Sequence, residues 1–306
     1  MAAKRKSAEI DRKKLFSDPV MIGMIVVLLV FLILFIVYPL FVLLIDSVFS
    51  EGRFSLDVFK RVLSMDRFRT AFVNTVELGL ITGVLSSAIG LLFAYVDVYV
   101  KLKYKWIEKL FNIVSSPFVL SLSTIMLFGR SGIISRYVFH IYDSNVYGLK
   151  GIVVVQTLTF FPVCYLMLKG LLKNIDPSIE EAARDIGASR LKVFLTITLP
   201  LMLPGIGNAF LVTFIESVAD FANPMLIGGD FDTLATTIYL QVTGSYDSTG
   251  AAAMSVILLS LTLILFFIQK YYLEKKTTAT LTGKASRVRM PITDKSVTVP
   301  LTVFCT

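Results

Sequence analysis

The chain has 306 residues, of which 55% are hydrophobic and only 17% charged, and its mean hydropathy is +0.76. A soluble domain carries roughly 25% charged residues, so this composition excludes an ordinary soluble enzyme or binding module. The net charge of +8 does not call for a nucleic-acid partner, because the basic residues are spread over separate polar segments and build no single basic face.

The apolar residues come in blocks, and six of these approach or exceed the roughly 20 residues needed to cross a bilayer. Residues 1–19 form a basic start, followed by a first block at 20–45. Its length and the lack of a small-residue cleavage site predict a retained anchor, not a signal peptide. The second block, 70–96, carries Asn74, Thr75 and Glu77 and closes at Asp97, which reads as a charge beside Lys101, Lys103 and Lys105. Blocks three and four, 107–128 and 151–172, contain Pro117 and Pro162, which predict kinks or local loosening. The segment between them holds the lone histidine, His140, near Tyr137 and Tyr142; a solvated or packed role fits it better than metal ligation, which needs several donors. A polar loop, 173–200, precedes the fifth block at 201–221. The connection 222–250 has no Lys or Arg, with a turn-rich run over 222–229 and a helix predicted over 233–242. The sixth block, 251–268, is followed by a cationic tail, 271–306.

Of the 30 Lys and Arg, 22 fall in 1–19, 99–109, 169–199 and 270–306, and 8 in the alternate connections. The six blocks predict an all-α protein with six transmembrane helices, and this bias places both termini inside and the 173–200 loop in the cytoplasm. An anionic inner leaflet then accounts for the positive charge, and the lipid bilayer is the first partner.

The most ordered pattern lies in that loop. Asp176 followed by Pro177 reads as a helix start, because Asp accepts from free backbone N–H groups and Pro fits the first helical position. Glu180 and Glu181 sit near the positive end of the helix dipole. Gly187 can take the left-handed conformation that ends such a helix. Ser189 then caps a second helix, 190–199, expected to stop at Pro200. The product is a helix–turn–helix on the membrane surface, and Ala182 and Ala183 let another protein approach closely.

The spacing of Glu181-Ala182-Ala183, Gly187, Ile197 and Leu199-Pro200 resembles, at every fixed position, the cytoplasmic "EAA" loop of ABC-importer permeases. The resemblance implies the type I importer permease fold, with a core over 70–270 holding five of the helices. It implies that Glu181, Ala182, Ala183, Gly187, Ile197, Leu199 and Pro200 couple to an ABC ATPase subunit, present in two copies, which uses ATP and Mg. It further implies a second permease module or second copy of the chain, and a periplasmic solute-binding protein, at a bacterial inner membrane. The run from Glu216 to Gly229, with Leu234 to Tyr239, resembles the ferric-iron branch of that family, close to the branches for polyamines, thiamine, phosphonates and sulfate. Iron-type permeases often fuse two six-span modules through a linker like the tail. The chain is then either a single module or an N-terminal half.

No phosphate-cradling Gly-x-x-x-x-Gly-Lys-Ser/Thr loop is present, and Gly283-Lys284 is followed by Ala. With one histidine and no metal-ligand spacing, no catalytic, metal or cofactor site is expected, so ATP hydrolysis falls to a partner. Glu216 and Asp220, four apart in the fifth block, predict one acidic face, with Asn208 earlier in the same block. They are read either as a wall of the solute pathway favouring a cation, or as interfacial groups that are solvated or bonded to neighbouring helices. Two other classes stand against the importer reading. An ion-gradient-driven secondary transporter would use the acids as ion ligands but leaves the loop without a purpose. A non-transporting scaffold would leave both idle.

Overall fold

The computed structural model describes residues 19–50, 53–54, 56–100, 117–142 and 145–273. Residues 1–18, the lysines at 101, 103 and 105, the first part of the third block and the tail from 274 on, with Cys305, lie outside them. Among the described residues six helices are long and apolar enough to cross a membrane: Pro19–Val48, Asp66–Tyr99, Phe118–Tyr137, Leu149–Asn174, Arg190–Ala219 and Ser248–Tyr271, here spans one to six. One two-residue antiparallel ribbon, Phe49–Ser50 against Arg53–Phe54, is the only pairing of strands among them.

Span one joins α1 (Pro19–Leu32) to α2 (Tyr38–Val48) through a π-helical turn, Ile33–Val37. Of these residues α1 buries none, so its apolar surface needs lipid or another chain to cover it. α2 packs on α13 (Ser248–Ile268), the sixth span. After α3 (Asp57–Ser64) comes α4 (Asp66–Tyr99), whose 34 residues reach about 50 Å at 1.5 Å per residue. That exceeds a hydrocarbon core of roughly 30 Å, so its ends stand out of the apolar layer. Asp97 and Tyr99 are carried on one such end.

Span three is broken. α5 (Pro117–Phe128) gives way at 129–132 to a turn and then to α6 (Ile133–Tyr137). α7 (Leu149–Asn174) is continuous and holds the buried Pro162 in its interior. The loop helices are α8 (Pro177–Asp185) and α9 (Arg190–Val193). α9 does not stop at Pro200, contrary to expectation. It runs through a π-helical turn, Phe194–Thr198, into α10 (Leu199–Ala219). A proline ring clashes with the carbonyl one α-turn earlier and lacks an N–H; the wider turn just before Pro200 accommodates both, as the one before Pro39 does in span one. The run over 222–229 forms α11 (Ala222–Ile227), and α12 (Leu234–Thr243) follows under a reciprocal capping box between Thr233 and Thr236.

The centre is built from α4, α7 and α10. A methyl at Gly90 would lie 2.6 Å from Cys164 Cβ and 2.9 Å from the Tyr165 nitrogen, so the absence of a side chain lets α4 and α7 touch. Small residues serve this purpose in bilayers, where close packing replaces the hydrophobic drive between helices. The buried cluster of Ala94, Tyr99, Cys164, Tyr165, Leu168, Leu172, Met202 and Ala209 fills this junction. A second cluster, Val58, Val62, Phe68, Leu234 and Met254, packs the opposite ends of spans two and six under α3 and α12.

Candidate functional site

The loop residues form a capped helical hairpin. Asp176 Oδ1 accepts from the Ser178 N–H at 3.0 Å, and Pro177 takes the first helical position. At the other end of α8 the Ala188 N–H bonds to the Ala183 carbonyl at 3.1 Å and the Gly187 N–H to the Arg184 carbonyl at 2.9 Å. This is the paired arrangement of a Schellman stop, and Gly187 holds φ +92° as it requires. Ser189 Oγ then accepts from the Lys192 N–H at 3.3 Å and starts the return helix.

Between the hairpin and the end of span two lies a hollow of about 700 Å³, with Tyr95, Tyr99, Glu181, Arg184, Asp185 and Arg190 among its lining. Ala182 is exposed and Glu181, Ala183, Ile197 and Leu199 are half-buried, while Pro200 is exposed. Large apolar side chains also face outward: Ile186 is 88% exposed, Leu191 68% and Ile179 48%. Exposed apolar side chains grouped on a polar segment occur where a protein meets another protein or a membrane.

Sequence reasoning placed the acidic contact at Glu181 and passed over its neighbour. Glu180 is buried, and its Oε1 accepts from both Tyr99 Oη, the last residue of α4, and Thr198 Oγ1, at 2.8 Å from the latter. Two adjacent acids on a helix point about 100° apart, and composition alone does not say which one turns inward. A faint signal was present: Pro177 and Glu180 stand three apart, the spacing of one helix face.

Asp97 likewise has a partner across the bundle. Lys169 Nζ lies 2.7 Å from Asp97 Oδ2, and Tyr165 Oη donates to the same oxygen at 2.9 Å. This triad ties span two to span four.

The three pathway candidates on span five do not share one environment. Asp220 is no longer helical: it ends α10 in an extended conformation, so it does not continue a face with Glu216. Its Oδ2 accepts from Gln156 Nε2 at 2.8 Å and Asn223 Nδ2 at 2.7 Å, and its Oδ1 from the Ala222 N–H at 3.0 Å and the Asn223 N–H at 3.3 Å. Gln156 Oε1 in turn accepts from Thr82 and Ser217, and Asn223 Oδ1 from Ser121. Asp220 is thus the centre of a satisfied network across spans two to five. Glu216 is half-buried and makes no hydrogen bond or ion pair among the described residues. Asn208 Oδ1 is buried without a hydrogen-bond partner. Asn74 and Thr75 hold the far connection, bonding to the Asp232 carbonyl at 2.9 Å and the Leu234 N–H at 2.7 Å, while Glu77 is exposed. Among the described residues no group of three or more His, Cys, Asp or Glu is placed to hold a metal ion.

Residues 11–278 match a family model described as the binding-protein-dependent transport system inner membrane component. The ferric transport system permease protein FbpB of Actinobacillus pleuropneumoniae is 34% identical over 90% of this chain and 41% of its own length. A putative ferric transport system permease protein of Haemophilus influenzae, FbpB 1, is 32% identical over 90% of this chain and 45% of its own length. The chain therefore spans less than half of these relatives. Its fold matches a chain from a bacterial ABC transporter involved in the import of the acidic polysaccharide alginate, with a TM-score of 0.69 at 15% identity, covering 86% of this chain and 98% of that one. With a six-helix bundle, the loop motif folded as a hairpin and a family match over most of its length, the chain belongs to the binding-protein-dependent transport system inner membrane components.

Proposed function

We propose that the chain is a permease module of an ATP-driven importer and forms half of a solute path with a second module or a second copy of itself. A solute-binding protein delivers the cargo on the outer side. Two ATPase subunits, with their ATP and Mg, engage the hairpin on the cytoplasmic side. The observation that carries this reading is the capped hairpin with Ile179, Ile186 and Leu191 exposed around Glu181, Ala182 and Ala183. Coupling needs contacts that differ between the two states of the transporter, and a rigid hairpin can supply them. Ferric iron is the cargo this reading favours, from the two FbpB relatives and from the Glu216 to Gly229 run.

The test is co-purification with an ATPase together with uptake of radiolabelled ferric iron. Loss of the gene is expected to lower uptake, and the intact gene to restore it. Unchanged iron uptake with a retained ATPase removes the cargo and leaves the importer. For orientation, Ser189→Cys and Ser245→Cys, each in a chain lacking Cys164 and Cys305, distinguish the sides. Only Ser245→Cys is expected to label with an impermeant thiol reagent in intact cells, and labelling of Ser189→Cys overturns the topology.

A further inference from the structure

The joint between the hairpin and the spans is narrow. α8 buries only Pro177 and Glu180, and a nine-residue helix is too short to hold its own position in water. Glu180 accepts at one oxygen from Tyr99 and Thr198, the first at the end of span two and the second in the π turn of span five. All three side chains are enclosed: Glu180 and Tyr99 are 8% exposed and Thr198 1%. Tyr95 stacks on Tyr99 with ring centres 4.4 Å apart and meets Phe194 edge-on at 5.0 Å, closing the joint on its apolar side.

We propose that Glu180 is a positioning residue that makes the hairpin and the adjoining ends of spans two and five move as one body. A displacement imposed on the hairpin then reaches the helices that line the bundle. This rests on the reading that the hairpin docks on an ATPase. The joint requires a hydrogen-bond acceptor between two hydroxyls. Glu180→Gln keeps that acceptor; Glu180→Ala removes it from two buried donors and so removes this tie between α8 and spans two and five.

Spin labels at Ser178→Cys on the hairpin, outside the exposed apolar contact residues, and Val84→Cys on span two, both exposed positions, read the distance between the hairpin and that span. The measurement uses the full chain lacking Cys164 and Cys305, purified with its ATPase, with and without ATP. With Glu180 present a single narrow distance is expected, unchanged by ATP. Glu180→Ala is expected to retain the ATPase but to shift or broaden the distance on ATP addition by more than about 2 Å, the scale of helix shifts at packed interfaces. Glu180→Gln is expected to restore the narrow distance. Tyr99→Phe with Thr198→Val, leaving Glu180 in place, is expected to reproduce the Ala result and serves if Glu180→Ala does not assemble. A distance in Glu180→Ala that stays narrow with the ATPase bound overturns the proposal, as does an ATP-driven change of equal size with Glu180 present, or failure of Gln to restore. Failure of the unaltered chain to retain an ATPase instead removes the docking reading, and this proposal with it.

Discussion

Lys169 on span four and Asp97 on span two meet at 2.7 Å with their side chains only 13% and 8% exposed. A pair so enclosed behaves differently from a surface salt bridge. Removing one partner strands the other charge without compensation, at a cost of about 3–5 kcal/mol, whereas replacing both with apolar groups of similar volume is close to neutral. Lys169→Met and Asp97→Leu are each expected to lower the unfolding temperature in detergent markedly. The double variant is expected to recover most of that loss. A loss in the double variant equal to the sum of the two single losses would show that the two charges do not depend on each other.

The left-handed turn at Gly187 makes a second prediction. A β-branched side chain at φ +92° is strained, by about 1–2 kcal/mol, although no neighbouring atom lies within 4 Å of a Cβ placed there. Gly187→Val is therefore expected to leave the chain in the membrane while weakening ATPase attachment and uptake. Glu181→Lys is expected to act in the same direction through reversed charge on the half-buried lining of the hollow. Quantitative co-purification checks both, and normal attachment in both variants would make the hairpin an ordinary surface feature.

Asp247 gives a pH prediction. It caps α13, accepting from the Gly250 N–H at 2.9 Å, from Gln241 Nε2 at 3.1 Å and from Arg61 Nη2 at 2.9 Å. Burial pushes its carboxyl upward, but the Gly250 and Gln241 bonds and the Arg61 charge together hold it below the ordinary value of 3.8. A group whose folded-state pKa is depressed stabilises fully above the unfolded value and loses that contribution as pH falls through the folded one. The stability of the parent chain is expected to decline below about pH 4 more steeply than that of Asp247→Asn, which starts lower at neutral pH. Parallel acid-denaturation curves would show that the cap does not titrate.

Asp220 and Glu216 are expected to separate. Asp220→Asn disturbs a centre with four hydrogen bonds and is expected to lower thermal stability, because an amide nitrogen replaces an acceptor facing donors. Glu216→Gln breaks no such bond and is expected to keep stability while lowering iron uptake. Normal uptake by a well-assembled Glu216→Gln chain would return Glu216 to an interfacial role.

Local patterns were legible in the residues alone because they depend on neighbours in the chain. Apolar blocks of sufficient length announced six spans, and Asp176, Gly187 and Ser189 announced the hairpin, since capping and left-handed turns are decided within a few residues. The passage through Pro200 was not legible, because a widened turn and the packing of span five outweigh the breaker rule. Tertiary structure alone chose Glu180 over Glu181 as the inward acid, paired Asp97 with Lys169 and spent Asp220 on a scaffold. Those choices join residues such as Tyr99 and Glu180, 81 positions apart, or Gln156 and Asp220, 64 apart. Helical periodicity says which side chains share a face. Which faces meet is settled only when the close approach of spans two and four at Gly90, and the packing of span five on both, determine the neighbours of each buried polar group.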